Sequence, residues 1–467
     1  MKHLHIIGIC GTAMAGLAVM AKEQGWQVTG SDNGIYPPMS TLLEEVGIPL
    51  QEGFRVENLQ PRPDLVLVGN TISRGNVELE AVMDQDLPYC SGAQWLYEHV
   101  LAGRHAVVAT GTHGKTTTTS LLAKVWEEAG WHPGFLIGGI PLDFGRGSRL
   151  SHGPWVVVEG DEYDTAFFDK RPKFLHYRPK TLIINNLEFD HADIYPDLEA
   201  IRRQFRLLLR SVPSSGHVIA NGDDPEVQAL LPLALSRVVT YGLHGAHHFT
   251  ARLESADGAA WTLLRQGEPL CSIQWAMLGE HNIYNGLATA AAALTHGMPV
   301  AALKAGLQGF QGVARRMQLR FEVGGVKVYD DFAHHPTAIA TTLAGLRARI
   351  GTERLWVVLE PRSNTMRTRV HQERLPAAFA LADHLLLARP QARGLTPEQM
   401  LDVEAIVAEV KQRPQQGAGP TAAVVANGHE AVAVLKQYCQ PGDHVVIMSN
   451  GGFDGIHLKL QQELCRT

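Results

Sequence analysis

The chain has 467 residues, 45% of them apolar and 19% charged, and 47 acidic against 41 basic side chains leave a net charge of −6. That length exceeds what one hydrophobic core fills and points to about three domains at ~150 residues each; the mild acidity, with no basic stripe to offset it, argues against nucleic acid as a partner. Five scattered cysteines without a CxxC pair offer neither a disulfide framework nor a zinc knuckle, and with no run of ~18 apolar residues a soluble, cytoplasmic protein that does not engage a membrane is expected.

The opening MKHLHIIGIC flows into a glycine turn instead of ending as a secretion signal. Strand-like LHIIGI, helix-like TAMAGLAVMAKEQG, and the strands QVTGSD and DLVLVGN predict a parallel α/β unit over residues 1–104. A new strand and turn, HAVVATGTHGK, opens a second unit over 105–313, which continues through WVVVEGD, TLIINN and HVIANGDD to the alanine-rich helix NGLATAAAALTHG. After GFQGVARRM the alternation restarts with VKVYDDF, LWVVLEP, HLLLA and HVVIMSN, giving a third unit over 314–467, with KQRPQQGAGPTAA at 411–423 as a polar loop within it. The expected fold class is α/β in three domains: Rossmann-like, then a parallel sheet like those of P-loop ATPases, then Rossmann-like again.

Two glycine turns are candidate anion sites. In ATGTHGKTTTT, glycines let successive backbone N–H groups line one concavity, Lys115 reaches the β and γ phosphates of ATP, and the Thr116 hydroxyl is placed for Mg²⁺. Ala109 stands where the full Walker pattern has glycine, so the loop is a shortened form. The earlier turn carries Gly8, Gly11, Ala13 and Gly16, with Asp32 closing the next strand, as in a dinucleotide fingerprint. Since the later loop suits ATP better, the first turn is expected to hold another phosphorylated ligand at its helix N-terminus, such as a nucleotide diphosphate-linked substrate. Directly after WVVV, the run EGDEYD supplies Glu159 as a metal ligand, with Asp161, Glu162 and Asp164 as further candidates; Asp190 and His191 leave the next buried strand on the same edge. His281 and Asn282 precede a helix that Asn282 is placed to cap.

In their order along the chain, GTHGKT, EGDEYD, NNLEFDHADIY, GEHNIYN, ARR and DDFAHHPT resemble the Mur ligase family, and the resemblance spans essentially the whole chain. The longer runs GSDNGIYPPMSTLLEE, NTISRGN, EPRSNTMR and MSNGGFDGIH are similar to the family's cell-wall recycling branch, in which the incoming amine belongs to a murein tripeptide. The resemblance implies an ATP- and Mg²⁺-dependent ligase whose small-molecule substrates are UDP-N-acetylmuramate and that tripeptide. It places ATP on Gly111, Thr112, His113, Gly114, Lys115, Thr116 and Thr117, with His281, Asn282 and Asn285 at the nucleotide and reaction centre, Arg316 toward the γ-phosphate and Asp331 toward the ribose. Thr116 and Glu159 would hold one Mg²⁺, and His191 would help hold a second. The UDP-sugar falls to Gly8, Gly11, Thr12, Gly16, Asp32, Thr71, Ser73 and Arg74, and the peptide to Arg362, Asn364, Arg367, Ser449 and Asn450, where arginine forks suit carboxylates.

Several family members carry a carbamylated lysine shortly after the Asp-His pair; ADIYPDLEAIRRQFRLLLR has no lysine, so no such modification is expected. Two other readings remain at this stage besides the family's alanine-adding branch. A nicotinamide-dependent oxidoreductase accounts for the first turn but leaves the second loop and the acids unexplained, and a non-catalytic nucleotide sensor accounts for the loops without turnover.

Overall fold

A computed structural model describes residues 2–36, 39–412 and 419–465. The first apolar runs pair in parallel in the spatial order Leu50–Glu52, Gln27–Asp32, His3–Ile7, Leu65–Val68, Tyr89–Ser91. Strand order reverses at His3–Ile7, so the Gly8 turn leaves the sheet at its topological switch point, where ligands of open α/β sheets bind. Helix Thr12–Glu23 follows that turn and buries Met14, Leu17 and Ala18.

Six parallel strands form the middle of the second sheet, in the order Arg237–Tyr241, His217–Asn221, Thr181–Ile184, His105–Thr110, Trp155–Glu159, Gly134–Leu136. Val107, Val108, Val156, Val157 and Val158 are fully buried, as strands covered on both faces require. The sheet reaches ten strands through Phe249–Leu253, Ala260–Arg265 and Glu268–Gln274, linked by antiparallel pairing, and through Ser148–Arg149 at the opposite edge. These additions are absent from the sequence reading because they mix polar and apolar residues, although Phe249, Trp261, Leu263 and Ile273 are buried in the sheet. Helices Lys115–Glu128 and Glu280–Thr295 share one core; the buried alanines Ala290 to Ala293 let the second approach closely.

In the third sheet, Gln318–Val323 pairs antiparallel with Val326–Asp331, followed in parallel by His444–Met448, Leu355–Leu359, His384–Ala388 and Ala422–Val425. The loop expected at 411–423 is corrected at its end. Residues 413–418 lie outside the described residues, and Ala422 and Ala423 begin a strand because they pair with Leu385 and Leu386, Ala422 being fully buried.

The first two units share a continuous core in which Met14 and Leu17 join Leu136, Val156 and Phe174. The third has its own clusters on the two faces of its sheet. It meets the second largely through polar contacts such as Arg349 with Asp257 and Asn364 with Asp193, and through a backbone approach in which a Cβ on Gly345 would lie 2.7 Å from Gly279 Cα. Gly16 belongs to the first seam: a Cβ there would sit 2.6 Å from Leu136 Cδ1 and 3.2 Å from Ser148 Cβ. Gly16→Val is therefore expected to destabilise the protein by about 1–3 kcal/mol through overpacking, checked by the midpoint of chemical denaturation.

Candidate active site

The register of the second sheet sets Ala109 beside Glu159 and Thr110 beside Ile184, so three neighbouring strands release their chains at one height. After the first comes the loop 111–114, which is short because Ala109 still belongs to the strand. Gly114 adopts φ +80° at the start of helix Lys115–Glu128, and a Cβ there would meet Asn285 Oδ1 at 2.4 Å, so only glycine fits. Lys115 Nζ turns back to donate to Gly111 O at 2.7 Å, Thr112 O at 3.2 Å and Glu162 Oε1 at 2.9 Å. Burial works against its charge, but Glu162, Asp161 and Glu159 hold its pKa above the ordinary lysine value. Thr116 Oγ1 donates to Glu159 Oε1 at 3.0 Å, and Arg316 Nη2 from the third unit reaches Thr116 Oγ1 at 3.3 Å. Thr117 is buried in the first helical turn behind them.

The four acids after Trp155–Glu159 separate by partner. Asp164 faces exposed Lys170 at 2.7 Å. Asp161, despite desolvation, is held down to about 2 by Lys173 and Lys115. Glu159 accepts from Gly138 N–H at 2.7 Å, and burial pushes its pKa up against the pull of Lys115 and Arg316. Glu162, ranked no higher than its neighbours on sequence, is buried and accepts from both Lys115 and His191 Nε2, the latter at 2.9 Å. Burial depresses His191, yet Glu162 lifts it above the ordinary histidine value. The Thr116 hydroxyl and Glu159 carboxylate are hard oxygen donors on one side of the phosphate loop, a donor pair that fits Mg²⁺.

Asn282 does not cap its helix. Gly279, at φ +84°, occupies the cap, and Asn282 lies in the first turn with Nδ2 donating to Leu278 O at 2.7 Å. From there Asn282 Oδ1 accepts from Asn285 Nδ2 at 3.1 Å, and Asn285 Oδ1 accepts from Thr118 Oγ1 at 3.1 Å, which ties this helix to the phosphate loop. His281 is pushed down to about 4 by burial and by Arg316, so it is neutral at pH 7. Asp331 accepts from Met317 N and Ala333 N, both at 2.7 Å, and so shapes the turn that presents Arg316. Thr112 Oγ1 accepts from Glu188 N at 2.8 Å, and His113 N donates to Asn186 Oδ1 at 2.7 Å, fastening the loop to the segment after Thr181–Ile184.

At the first turn, Gly8 has φ +83°, and the Asp32 carboxylate accepts from Cys10 N and Gly34 N, each at 2.9 Å. Asp32 thus braces the turn. A cavity of about 120 Å³ opens between Gly11, Thr12 and Asn70 of the first unit and Lys173 and Tyr177 of the second. Gly16 lies away from it in the seam described above. Thr71, Ser73 and Arg74 are exposed, with Arg74 Nε on Glu80 Oε1 at 2.9 Å. Lys173 and Tyr177 escaped the sequence reading; the one signal for Lys173 is its place shortly after the acid run.

In the third unit, a cavity of about 120 Å³ is lined by Glu360, Arg362, Arg367, Arg389, Arg393 and Asp454, among others. Buried Arg367 donates to Gln391 O at 3.3 Å and to Asn364 Oδ1 at 2.9 Å, so much of its fork holds the cavity wall. Asn364 donates to Asp193 Oδ2 at 2.8 Å across the seam, and buried Ser449 donates to Glu360 Oε2 at 2.5 Å. Asn450 Oδ1 is buried without a partner. Arg389 and Arg393 follow His384–Ala388 whereas Asp454 follows His444–Met448, so they were missed because the two segments meet only in the fold.

Three family models match the chain in succession: the Mur ligase family catalytic domain over 3–104, the Mur ligase middle domain over 109–293, and the Mur ligase glutamate ligase domain over 315–451. The chain belongs to the Mur ligase family and is an ATP-dependent, Mg²⁺-requiring ligase of peptidoglycan metabolism. It is 45% identical, over 99% of its length and 98% of the relative's, to the Escherichia coli (strain K12) UDP-N-acetylmuramate–L-alanyl-γ-D-glutamyl-meso-2,6-diaminoheptandioate ligase. It is 32% identical, over 96% of its length and 95% of the relative's, to the UDP-N-acetylmuramate–L-alanine ligase of Desulfosudis oleivorans. A crystal structure of a murein peptide ligase from Psychrobacter arcticus superposes with a TM-score of 0.76 at 40% identity, covering 100% of this chain and 99% of that one. Among the described residues no helix is long and apolar enough to cross a membrane.

Gly114→Ala is expected to weaken binding of ATP analogues about tenfold or more while the fold persists, because the new methyl collides with Asn285 at a positive φ. Titration calorimetry alongside circular dichroism checks this.

Proposed function

We propose that this protein joins the lactyl carboxylate of UDP-N-acetylmuramate to the amino group of L-alanyl-γ-D-glutamyl-meso-diaminopimelate, consuming ATP, in peptidoglycan recycling. The observation that carries the reading is the 45% identity over the full length to a ligase of that name, against 32% to the alanine-adding relative. The third-unit cavity supports it: Arg362, Arg389 and Arg393 beside Glu360 and Asp454 suit the carboxylates and ammonium of a diaminopimelate end, whereas free alanine needs no such lining. On this reading the domains are 1–104 for the UDP-sugar, 105–313 for ATP and 314–467 for the peptide.

A carboxylate is a poor acyl donor because its leaving group would be oxide. Transfer of the γ-phosphoryl group of ATP to it gives an acyl phosphate and ADP; the peptide amine then attacks the acyl carbon, and the tetrahedral intermediate expels phosphate. Lys115 and Arg316 would neutralise charge on the transferring group, so catalysis is mainly positioning and electrostatics. Mg²⁺ held by Thr116 and Glu159, with a second ion near His191, would supply further charge compensation. His281, Asn282, Asn285 and Asp331 would border the nucleotide, and Gly8, Gly11, Thr12, Asp32, Thr71, Ser73 and Arg74 the UDP-sugar. Arg362 would meet the peptide, with Asn364, Arg367, Ser449 and Asn450 bracing its pocket. Seating the third unit on the second would keep water from the acyl phosphate.

Supplied with ATP and UDP-N-acetylmuramate, the purified enzyme is expected to release ADP with the tripeptide much faster than with free L-alanine at equal concentration; the opposite order would overturn the assignment. Lys115→Ala is expected to cut ADP formation by ~10²–10³-fold and leave UDP-sugar affinity within about twofold. Parallel loss of both would contradict two separate anion sites.

A further inference from the structure

Where the second and third units meet, His113, Glu188 and His335 each offer a ligand atom within 4.8 Å of the others, the one such trio of histidine, cysteine or acidic residues found among the described residues. They come from three elements: the phosphate loop, the segment after Thr181–Ile184, and the N-cap of helix Pro336–Ile350. His113 Nε2 stands 3.7 Å from Glu188 Oε1, too far for a hydrogen bond, and the rings of His113 and His335 are 4.7 Å apart. Both rings keep a buried Nε2 with no partner, although His335 is 1% exposed. Behind them His371, fully buried, packs edge-on to His335 at 4.6 Å with neither ring nitrogen partnered. Buried polar atoms are ordinarily satisfied, so such a concentration of unpaired imidazole nitrogens calls for an explanation.

Burial lowers the pKa of His113, His335 and His371, which leaves these rings uncharged at neutral pH with one lone-pair nitrogen each; in His335 it is Nδ1, which accepts from Thr337 N–H at 3.3 Å and lies 3.9 Å from Glu188 Oε2. Two imidazoles and a carboxylate are the donor set of borderline divalent ions such as Zn²⁺ or Co²⁺, whereas Mg²⁺ prefers oxygen alone. Two bonds of ~2.1 Å at a tetrahedral angle set ligand atoms ~3.4 Å apart, so a trio that lies within 4.8 Å must draw in by up to ~1.4 Å. His113 and Glu188, with side chains 21% and 27% exposed, have room to turn, while His335 Nδ1 would exchange its 3.3 Å contact with Thr337 N–H for the ion. Glu188 Oε2 already accepts from Thr337 Oγ1 at 2.8 Å and Arg374 Nη2 at 3.2 Å, which leaves Oε1 for the cation.

We propose that His113, Glu188 and His335 form a binding site for a Zn²⁺-class transition-metal ion, distinct from the Mg²⁺ donors Thr116 and Glu159. Because His335 belongs to the third unit and the other two to the second, the ion binds only when the units are seated together, and so favours that arrangement.

The test uses the full-length protein in millimolar Mg²⁺ without nucleotide, titrated with Co²⁺ and followed by its visible d–d absorption and by equilibrium dialysis. One Co²⁺ per chain, displaced by Zn²⁺, is expected. His335→Asn keeps a helix-capping side chain but removes the imidazole; it and Glu188→Gln should each weaken Co²⁺ binding at least tenfold, with Glu159→Gln leaving it unchanged. No stoichiometric Co²⁺ binding in Mg²⁺, or binding that survives His335→Asn and is lost in Glu159→Gln, would overturn the proposal. If circular dichroism shows that His335→Asn fails to fold, His113→Gln is read by the same criteria.

Discussion

The parallel register of three buried strands governs this molecule. Because His105–Thr110 lies between Trp155–Glu159 and Thr181–Ile184 with hydrogen bonds in step, the phosphate loop, the acid run and the segment leading to His191 emerge side by side. A shift along any strand would expose fully buried valines and isoleucines, so the apolar faces that stabilise the sheet also fix the spacing of the polar groups beyond it. Packing and chemistry are the same constraint seen from two ends of a strand.

The charges at that edge are arranged around Glu162. Its buried carboxylate holds Lys115 and His191 together, and Lys115 in turn keeps Glu159 and Asp161 from being isolated negative charges in a dry setting. A buried carboxylate without a cation is expensive, so the arrangement keeps the acids ionisable while orienting Lys115 and the loop it caps. Arg316 adds a positive group that depends on the third unit, and Asp331 sets its turn through two backbone hydrogen bonds. The proposed reaction centre therefore draws on two units.

Much of this was legible in the chain. Strands such as Gln27–Asp32 and His105–Thr110 fall where the sequence reading put them, and the glycine turn before Lys115 was readable because Gly114 takes the positive φ that a glycine permits. Legibility failed where meaning depends on pairing at a distance. Glu162 looks like its three acidic neighbours until the fold sets it against His191; Arg389, Arg393 and Asp454 share a cavity only because the ends of His384–Ala388 and His444–Met448 lie at one edge of the sheet. Arg367 reads as a ligand-binding fork, but its burial turns it toward Gln391 and Asn364. Asn282 has the right identity for a cap, but Gly279 starts the helix earlier, and Gly16 fits the fingerprint while packing on Leu136.

The glycine-on-glycine approach of Gly345 to Gly279 has a mechanical meaning. Interlocked side chains make a contact that moves in discrete jumps, since each knob must leave its hole; two bare backbones form a smooth bearing instead. The C-terminal lobe carries its own apolar interior, on which Leu278 of the second lobe also packs, so rotation about this bearing disturbs that apolar contact together with the polar contacts at the rim. The chain thus has, between its second and third lobes, a joint with little side-chain interlock at its centre.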